Sequence, residues 1–218
     1  EGFIGTALKK DEYVTDCSDI DDIICFMQDG TMMVTKVDTK TFVGKNIIHV
    51  AVFKKKDKRT IYNLIYRDGS KGNTYIKRFA VTSITRDREY SIGKGEKGTK
   101  VFYFSANPNG EAEKVTVYLR QIGSIKKLKF EVDFADQLIK GRGAKGNIVS
   151  KHPVKKVELK EEGVSTLKPR KIWFDDVVQR LNVDGRGDLL GEFKGEDRIL
   201  LVTQDGTVKT IIPEFGSI

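Results

Sequence analysis

The chain has 218 residues, of which 39% are hydrophobic and 32% are charged, and its formal net charge is +8 with a pI of about 9.3. The hydrophobic content is sufficient for a globular core, and no apolar run reaches the length needed to cross a membrane. The excess of basic residues favours a polyanionic partner, either nucleic acid or an anionic membrane surface.

The cysteines and histidines give no metal-binding spacing. Cys17 and Cys25 are the two cysteines, and neither His49 nor His152 completes a zinc ligand set with them. The spacing leaves a disulfide open, although one cysteine pair in a chain of this length is typical of reduced thiols in a cytoplasmic protein. The chain starts at Glu1 without an initiator Met, so we expect a fragment of a longer protein.

Two-stranded units separated by a tight turn recur along the chain. The opening residues Gly2–Thr6 predict the second strand of a hairpin whose first strand lies upstream or comes from the C-terminus. Five further hairpins are predicted, each with a turn glycine, because glycine tolerates the positive φ that such turns require. They span residues 23–36, 62–78, 101–118, 138–151 and 199–209, with turn glycines Gly30, Gly69, Gly110, Gly146 and Gly206.

The spacing of these turns indicates the fold class. The first four turns recur at a period of roughly forty residues, which is the period of four-stranded blades. The longer gap before Gly206 holds a strand-like segment at Ile172–Asp176 and a short helix predicted over residues 176–181. We predict an all-β, propeller-like toroid of about six four-stranded blades, forming a single domain over residues 1–218.

Two glycine-rich stretches, residues 93–98 and 141–146, match the pattern G-x-G-x-x-G. Dinucleotide binding is not expected, because strand-like sequence rather than a helix follows each stretch. A nucleotide P-loop is excluded as well, since Asn147 stands where a lysine is required. Two interpretations stay open: a basic turn whose backbone N–H groups and cationic side chains approach a phosphate, or a solvated loop.

Lysine and arginine gather in patches along the chain. A single patch is usually a solvated face, but patches at equivalent points of a ring would form a belt that a bent duplex can follow through its phosphates. The predicted DNA-binding residues are Lys54, Lys55, Lys56, Arg59, Lys77, Arg78, Lys94, Lys97, Lys140, Arg142, Lys145, Lys151, Lys155, Lys156, Arg170 and Lys171.

No catalytic motif is recognisable, and no catalytic or metal-binding residue is predicted. The acidic pairs Asp21–Asp22 and Asp175–Asp176 are expected at turns or strand edges, because adjacent residues of a strand point to opposite faces. Trp173 is expected to pack between repeats, with stacking on a base as the alternative.

The repeated form Asp-Gly-x-x-apolar-Lys, together with Gly146–Val154, resembles the C-terminal β-pinwheel domain of the A subunits of bacterial type IIA topoisomerases, DNA gyrase and topoisomerase IV. Residues Lys171–Asp175 and Leu181–Gly187 are similar to the topoisomerase IV members. The resemblance implies a disc of blades that exchange strands with their neighbours, and a basic rim around which duplex DNA bends.

One departure bears on the choice between the two enzymes. Gyrase members carry a Q-R-R-G-G-K-G box that is needed for wrapping, and residues 141–146 are similar to it in composition. In the family the box follows the segment equivalent to His152–Val154, where this chain reads Lys155–Gly163. The departure favours a topoisomerase IV-like role in decatenation and relaxation, with gyrase-type wrapping as the alternative. A propeller used as a protein-interaction platform is the alternative of another class.

The resemblance also implies the partners. They are duplex DNA, the A-subunit catalytic core and the topoisomerase B subunit, in a bacterial cytoplasmic enzyme associated with the nucleoid. The catalytic tyrosine and the sites for ATP and magnesium are expected in other domains or subunits. We expect this part of the chain to be monomeric when isolated, without membrane contact and without a cofactor of its own.

Overall fold

The computed structural model describes residues 2–9, 11–123 and 125–213. Within them the chain forms strands joined by turns and loops, with a 3-10 turn at Phe134–Asp136, and no helix there is long and apolar enough to cross a membrane. The strands are β1 (Phe3–Ile4), β2 (Asp22–Met27), β3 (Thr31–Lys36), β4 (Thr41–Phe42), β5 (Ile47–Phe53), β6 (Ile61–Arg67), β7 (Thr74–Ala80), β8 (Tyr90–Ser91), β9 (Lys100–Asn107), β10 (Glu111–Leu119), β11 (Lys129–Asp133), β12 (Ile139–Gly141), β13 (Asn147–Ser150), β14 (Val154–Ser165), β15 (Arg170–Asp175), β16 (Arg180–Asn182), β17 (Asp188–Phe193), β18 (Ile199–Val202) and β19 (Val208–Ile211).

The chain divides into two compact units, residues 1–108 with 112–163 and residues 109–111 with 164–218. The first unit contains the pair β1–β4, sheet I (β5-β2-β3-β8), sheet II (β12-β7-β6-β9, with β13 also on β7) and sheet III (β11-β10-β14). The second unit contains the sheet β16-β15-β17 and the pair β18–β19. The all-β prediction is confirmed, although these sheets have two to five strands rather than four throughout. A single domain over 1–218 stays a prediction.

The sheets of the first unit pack face to face in chain order. Ile24 and Phe26 of sheet I share a core with Tyr62 and Leu64 of sheet II. The intervening residues of β2, such as Cys25, face the opposite way into a second core, as strand alternation requires. Sheet II is likewise covered on its far side by a core that it shares with sheet III. Burial on both faces explains why β2 and β6 read as nearly continuous apolar runs.

Sheets I and II each take an outer strand from farther along the chain. The strand β8 pairs with β3, although β6 and β7, which precede β8, belong to sheet II. In the same way β12 and β13 pair with β7, although β10 and β11 belong to sheet III. The strand exchange implied by the resemblance is therefore present in the first unit, and backbone hydrogen bonds tie each sheet to sequence beyond the next one.

Three of the five predicted hairpins are confirmed, namely β2–β3, β6–β7 and β18–β19. The hairpin over 101–118 is wrong, because β9 pairs with β6 while β10 pairs with β11, so its turn carries the chain from sheet II to sheet III. The hairpin over 138–151 is also wrong, because β12 and β13 both pair with β7. All five predicted turn glycines have φ between 65° and 90°. The sequence therefore predicts the positions of the turns correctly, but the residues around a turn do not determine which strand its flanking strands pair with.

Two smaller predictions are also corrected. The strand β1 pairs with β4, with Phe3 opposite Phe42, rather than with an upstream or C-terminal strand. Residues 176–179 form a turn instead of a helix. There the carboxylate of Asp175 accepts hydrogen bonds from the backbone N–H groups of Val177 at 3.1 Å and Val178 at 3.3 Å, a local arrangement that competes with helix formation.

The two thiols differ in accessibility. Cys17 is exposed and Cys25 is buried, and neither forms a disulfide. Burial raises the pKa of the Cys25 thiol to about 12. We therefore expect one fast-reacting thiol per chain with Ellman's reagent at pH 8, and a second only after unfolding. Cys17→Ser should abolish the fast phase, whereas two fast thiols in the native protein would contradict the burial of β2.

Candidate nucleic-acid interface

The two glycine-rich loops, residues 93–98 and 141–146, both lie against the β6–β7 hairpin, the first at its turn and the second along β7 from opposite Ala80 to opposite Ile76. The first loop follows β8, whose Ser91 lies opposite Thr31 at the turn end of β2–β3. The second loop joins β12 to β13, which both run along β7. Sheet exchange thus brings together two loops that are almost fifty residues apart in the sequence. We call this pair of loops with the β6–β7 turn the glycine-loop cluster.

Lys77 holds the two loops together from inside the protein. Its side chain is buried between sheets I and II, and its ammonium group donates hydrogen bonds to the carbonyl oxygens of Ile92, Arg142 (2.9 Å) and Ala144 (3.0 Å). An ammonium group has three N–H donors, so three carbonyls satisfy it completely. One carbonyl precedes the first loop and two belong to the second, so a single cation fixes both.

Asp68 makes a second connection at the same end of sheet II. Its buried carboxylate accepts a hydrogen bond from the backbone N–H of Lys94 at 3.2 Å and lies 3.4 Å from the ammonium group of Lys145. Thr99 closes the first loop: its hydroxyl accepts from the Gly69 N–H at 2.9 Å and donates to the Glu96 carbonyl at 2.7 Å. The β6–β7 turn is therefore bonded to both loops.

Glycine is required where the loops approach their neighbours most closely. A Cβ atom on Gly146 would lie 2.3 Å from the carbonyl oxygen of Ile76, and the residue has φ of +90°. A Cβ on Gly93 would lie 2.8 Å from the Asp68 carboxylate and 2.9 Å from the Tyr66 ring. These glycines permit close packing and are not freely mobile linkers. Both stretches are therefore basic turns that are tethered to neighbouring strands.

Aromatic rings order two of the loop cations. The guanidinium of Arg142 lies 4.2 Å from the centre of the Tyr90 ring, and Arg88 approaches the same ring at 5.3 Å. The ammonium of Lys145 lies 4.7 Å from the centre of the Tyr75 ring. The hydrogen bond with Tyr75 and the neighbouring Asp68 raise the pKa of Lys145, so it stays cationic. Such contacts limit the motion of the cations without neutralising them.

The cluster presents several cations to solvent. Lys94 and Lys97 are exposed, while Arg142 and Lys145 are half-buried. Lys140 is exposed as well, but it lies in β12 opposite Phe79, toward the end of β7 away from the turn. Lys71, in the β6–β7 turn, is also exposed at this end, and sequence reasoning missed it because it stands alone between Ser70 and Gly72. Together they form a basic surface whose backbone is preorganised by Lys77 and Asp68. Such a surface is suited to phosphate contact.

Lys77 and Arg78 are corrections to the predicted set. Both side chains are buried, 2% and 1% exposed, so neither can reach a phosphate. They are adjacent in β7 and therefore point to opposite faces of sheet II. Arg78 lies on the sheet III side, where its Nε donates to Asn63 at 3.0 Å, and Asn63 in turn donates to the buried carboxylate of Glu113 at 2.8 Å. Both residues stabilise the interior.

The Lys54–Lys56 patch does not join the glycine-loop cluster. These exposed lysines follow Phe53, which lies opposite Asp22 at the other end of sheet I. Six residues of strand separate the two ends, a span of roughly 20 Å. Asp22 is paired there with Arg86 at 2.7 Å, and Arg59 is half-buried. The Lys54–Lys56 patch and the glycine-loop cluster therefore lie at opposite ends of sheet I.

The remaining predicted cations lie elsewhere. Lys151, Lys155 and Lys156 are exposed at and before the start of β14. Arg170 is half-buried and Lys171 is exposed in β15 of the second unit.

The other singled-out residues have local roles. Trp173 is half-buried in β15, so packing and base stacking both stay predictions. Asp21 accepts a hydrogen bond from the Ser18 N–H at 2.8 Å, a turn role like that of Asp175.

Comparison with known proteins identifies the family. The sequence profile of the family described as topoisomerase C-terminal domain, Bacteroidota, matches residues 1–162 and 180–217. The chain belongs to this family. The A subunit of DNA topoisomerase 4 from Borreliella burgdorferi is 26% identical over 162 residues, which are 73% of this chain and 24% of that protein. This topoisomerase C-terminal domain therefore spans about a quarter of the length of that relative.

A solved structure is also similar. The crystal structure of the C-terminal domain of DNA topoisomerase IV covers 88% of this chain and 69% of its own, with a TM-score of 0.43 and 12% sequence identity.

Replacing Lys77 tests the central tether of this topoisomerase C-terminal domain. In Lys77→Met, the buried carbonyl of Ile92 and the partly buried carbonyls of Arg142 and Ala144 lose their donor, and we expect a loss of about 2–4 kcal/mol in the free energy of unfolding. Amide hydrogen exchange should accelerate in residues 92–98 and 141–146. The matched control, Lys71→Met, changes an exposed lysine and should stay within about 0.5 kcal/mol of wild type. Equal stability of the two variants in urea unfolding would contradict the tether.

The same lysine predicts a pH dependence. Burial, with Arg142 and Lys94 nearby, lowers the pKa of Lys77 to about 7, while Asp68 acts in the opposite direction. Because the pKa in the unfolded chain is higher, the unfolded state binds more protons between about pH 7 and 10.5, and the stability of wild type relative to Lys77→Met should rise with pH across that window. Urea unfolding at pH 7 and pH 9 measures the difference, and a decrease with pH would show that the carbonyls dominate.

Proposed function

We propose that this topoisomerase C-terminal domain binds duplex DNA through its phosphates and directs DNA segments to a type IIA topoisomerase. The observation that carries the proposal is the glycine-loop cluster, where Lys77 and Asp68 fix two loops that present Lys94, Lys97, Arg142 and Lys145. Membership of a topoisomerase C-terminal domain family supports it. Phosphate contacts read no sequence directly, so we expect binding that is tolerant of sequence and sensitive to bending.

Salt dependence tests the phosphate contacts. For five to eight neutralised phosphates, log affinity should fall with log salt at a slope of roughly −0.9 per contact. The combined change Lys71→Gln, Lys94→Gln and Lys97→Gln removes exposed side chains and should lower the magnitude of the slope by about 2–3 for unrelated duplexes. Fluorescence anisotropy at several salt concentrations measures this.

The control is the combined change Lys54→Gln, Lys55→Gln and Lys56→Gln, which removes the same charge at the other end of sheet I. It should have a smaller effect than the loop variant. A slope near zero for wild type would contradict DNA binding through phosphates. Equal effects of the two variants would favour a belt of cations that contacts DNA at both ends of the sheet.

Within that function we propose a topoisomerase IV-like role rather than gyrase-type wrapping. At the position expected for the gyrase box, residues Val154–Ser165 form the long strand β14 in place of a glycine-rich basic loop. We therefore expect little positive writhe when the domain binds nicked circles that are then ligated. A large positive linking-number change, read on agarose gels, would favour the gyrase alternative.

We also propose that catalysis belongs to other parts of the holoenzyme. The partners would be the A-subunit catalytic core and the B subunit, which would supply the catalytic tyrosine and the sites for ATP and magnesium in the bacterial cytoplasm. The isolated domain would be monomeric.

A protein-contact role is the second candidate, for the second unit alone. Leu200 and Val202 lie on one face of β18 and are largely exposed, and Val208 lies opposite Val202 in β19. A two-stranded hairpin with an uncovered apolar face is marginal by itself, which favours a protein partner there. Wild-type protein that fails to retain linear DNA in a mobility shift would favour this candidate over the first.

A further inference from the structure

A second group of cations surrounds the connection from β10 to β11. Most of these residues are absent from the predicted set of DNA-binding residues. Arg120, Lys126, Lys127 and Lys129 are exposed there. The backbone N–H of Arg120 donates to the carbonyl of Pro153 at 2.9 Å, so the start of β14, with Lys155, lies at the same end of sheet III. The fold therefore collects cations from 120–129 and from 151–156 at one place.

The outer face of sheet III defines this surface. Tyr118 lies opposite Lys129, and Thr116 lies opposite Glu131, so these side chains share one face. Their neighbours Val115 and Val117 point into the core shared with sheet II. A shallow depression of about 460 Å³ on the outer face is lined by Thr116, Tyr118, Lys127, Lys129, Phe130 and Glu131.

Charge is distributed unevenly along this face. At one end, Lys114 is paired with Asp133 at 3.9 Å and Glu161 at 3.3 Å, and Lys160 is paired with Glu131 at 2.8 Å. At the Tyr118 end, the described residues place no carboxylate within 4.0 Å of the ammonium groups of four lysines. These are Lys126, Lys127, Lys129 and Lys155. The positive potential is therefore concentrated at the Tyr118 end.

Lys156 differs from these four lysines. Its ammonium is ion-paired with Glu158 and lies 4.7 Å from the centre of the Tyr118 ring. Glu158 offsets the charge of Lys156 locally, so Lys156 adds less net positive charge to this surface than the sequence alone indicates. Lys127 and Lys129, which line the same depression, are the cations that are not committed to a carboxylate.

The surface adjoins the glycine-loop cluster through β13. Ser150, the last residue of β13, lies opposite Thr74, next to the β6–β7 turn that carries Lys71. The exposed Lys151 follows, and the chain reaches Pro153 beside Arg120 within two further residues. Cations thus continue from the glycine-loop cluster to the Tyr118 end of sheet III without crossing an acidic segment.

We propose that the Tyr118 end of sheet III is a second duplex-contact surface, in which Arg120, Lys126, Lys127, Lys129 and Lys155 bind DNA phosphates beyond those held by the glycine-loop cluster. The inference rests on the proposed function, because it extends the path of the same ligand. A continuous cationic path on one unit lets a duplex gain contacts in sequence, each of which releases counterions. Phosphate is the chemistry that a group of unpaired lysines recognises without base readout.

The test uses the whole chain carrying Lys126→Gln, Lys127→Gln and Lys129→Gln. These side chains are exposed, so the variant should melt within a few degrees of wild type. Its affinity for a 40-base-pair duplex should fall by about tenfold or more near 100 mM salt, and the magnitude of the salt slope should drop by about 2–3. The triple change at Lys54, Lys55 and Lys56 serves again as the charge-matched control.

The possible results separate the two proposals. If wild type binds DNA, the glycine-loop variant is weakened, and the sheet III variant behaves like the control, the second surface is overturned while the proposed function stands. The second surface is likewise overturned if the sheet III variant loses binding to an acidic peptide instead of DNA. If wild type itself binds no duplex, the proposed function fails first. Charge reversal, Lys127→Glu with Lys129→Glu, should weaken binding more than the neutral variant, and an equal effect would also overturn the second surface.

Discussion

The arrangement of the first unit depends on one buried cation. Lys77 lies inside the contact between sheets I and II, where an unsatisfied ammonium group would be very costly. It is tolerated because three backbone carbonyls, from two loops distant in sequence, accept its three N–H groups. The same bonds also supply a donor to the buried carbonyl of Ile92 and to the partly buried carbonyls of Arg142 and Ala144. The burial of this charge and the conformation of the two surface loops therefore depend on the same hydrogen bonds.

These hydrogen bonds are possible only because the sheets exchange strands. After β6 and β7 of sheet II, the chain goes back to sheet I and forms β8 there. After β10 and β11 of sheet III, it goes back to sheet II and forms β12 and β13. Each return brings a loop to the end of a neighbouring sheet. The glycines at 93 and 146 let those loops approach within van der Waals contact of β6 and β7. The loops are thus positioned by the sheets rather than by their own sequence, and their cations occupy fixed places.

The cations form a path with distinct parts instead of a uniform belt in the first unit. Lys94, Lys97 and Lys145 lie at the turn end of sheet II, Lys54–Lys56 lie at the opposite end of sheet I, and the lysines of 126–129 lie at one end of sheet III. Ion pairs with Asp68 and Glu158 hold Lys145 and Lys156. For a phosphate ligand, position and freedom from carboxylates matter more than the number of lysines. A lysine that is paired with a carboxylate must give up that pair before it can neutralise a phosphate and displace a counterion from the DNA.

The sequence by itself determined the all-β class, the turn glycines and the family, because alternation, positive φ and short motifs are local properties of the chain. It also marked residues 93–98 and 141–146 as loops of interest. Only the tertiary structure decided that these loops meet, that the turn at Gly110 joins two sheets, and that Lys77 and Arg78 are buried on opposite faces. The physical reason is that the sequence of a strand determines which of its residues alternate between the two faces, but not which strand pairs with it. The burial of a cation, in turn, depends on carbonyl groups that distant segments supply.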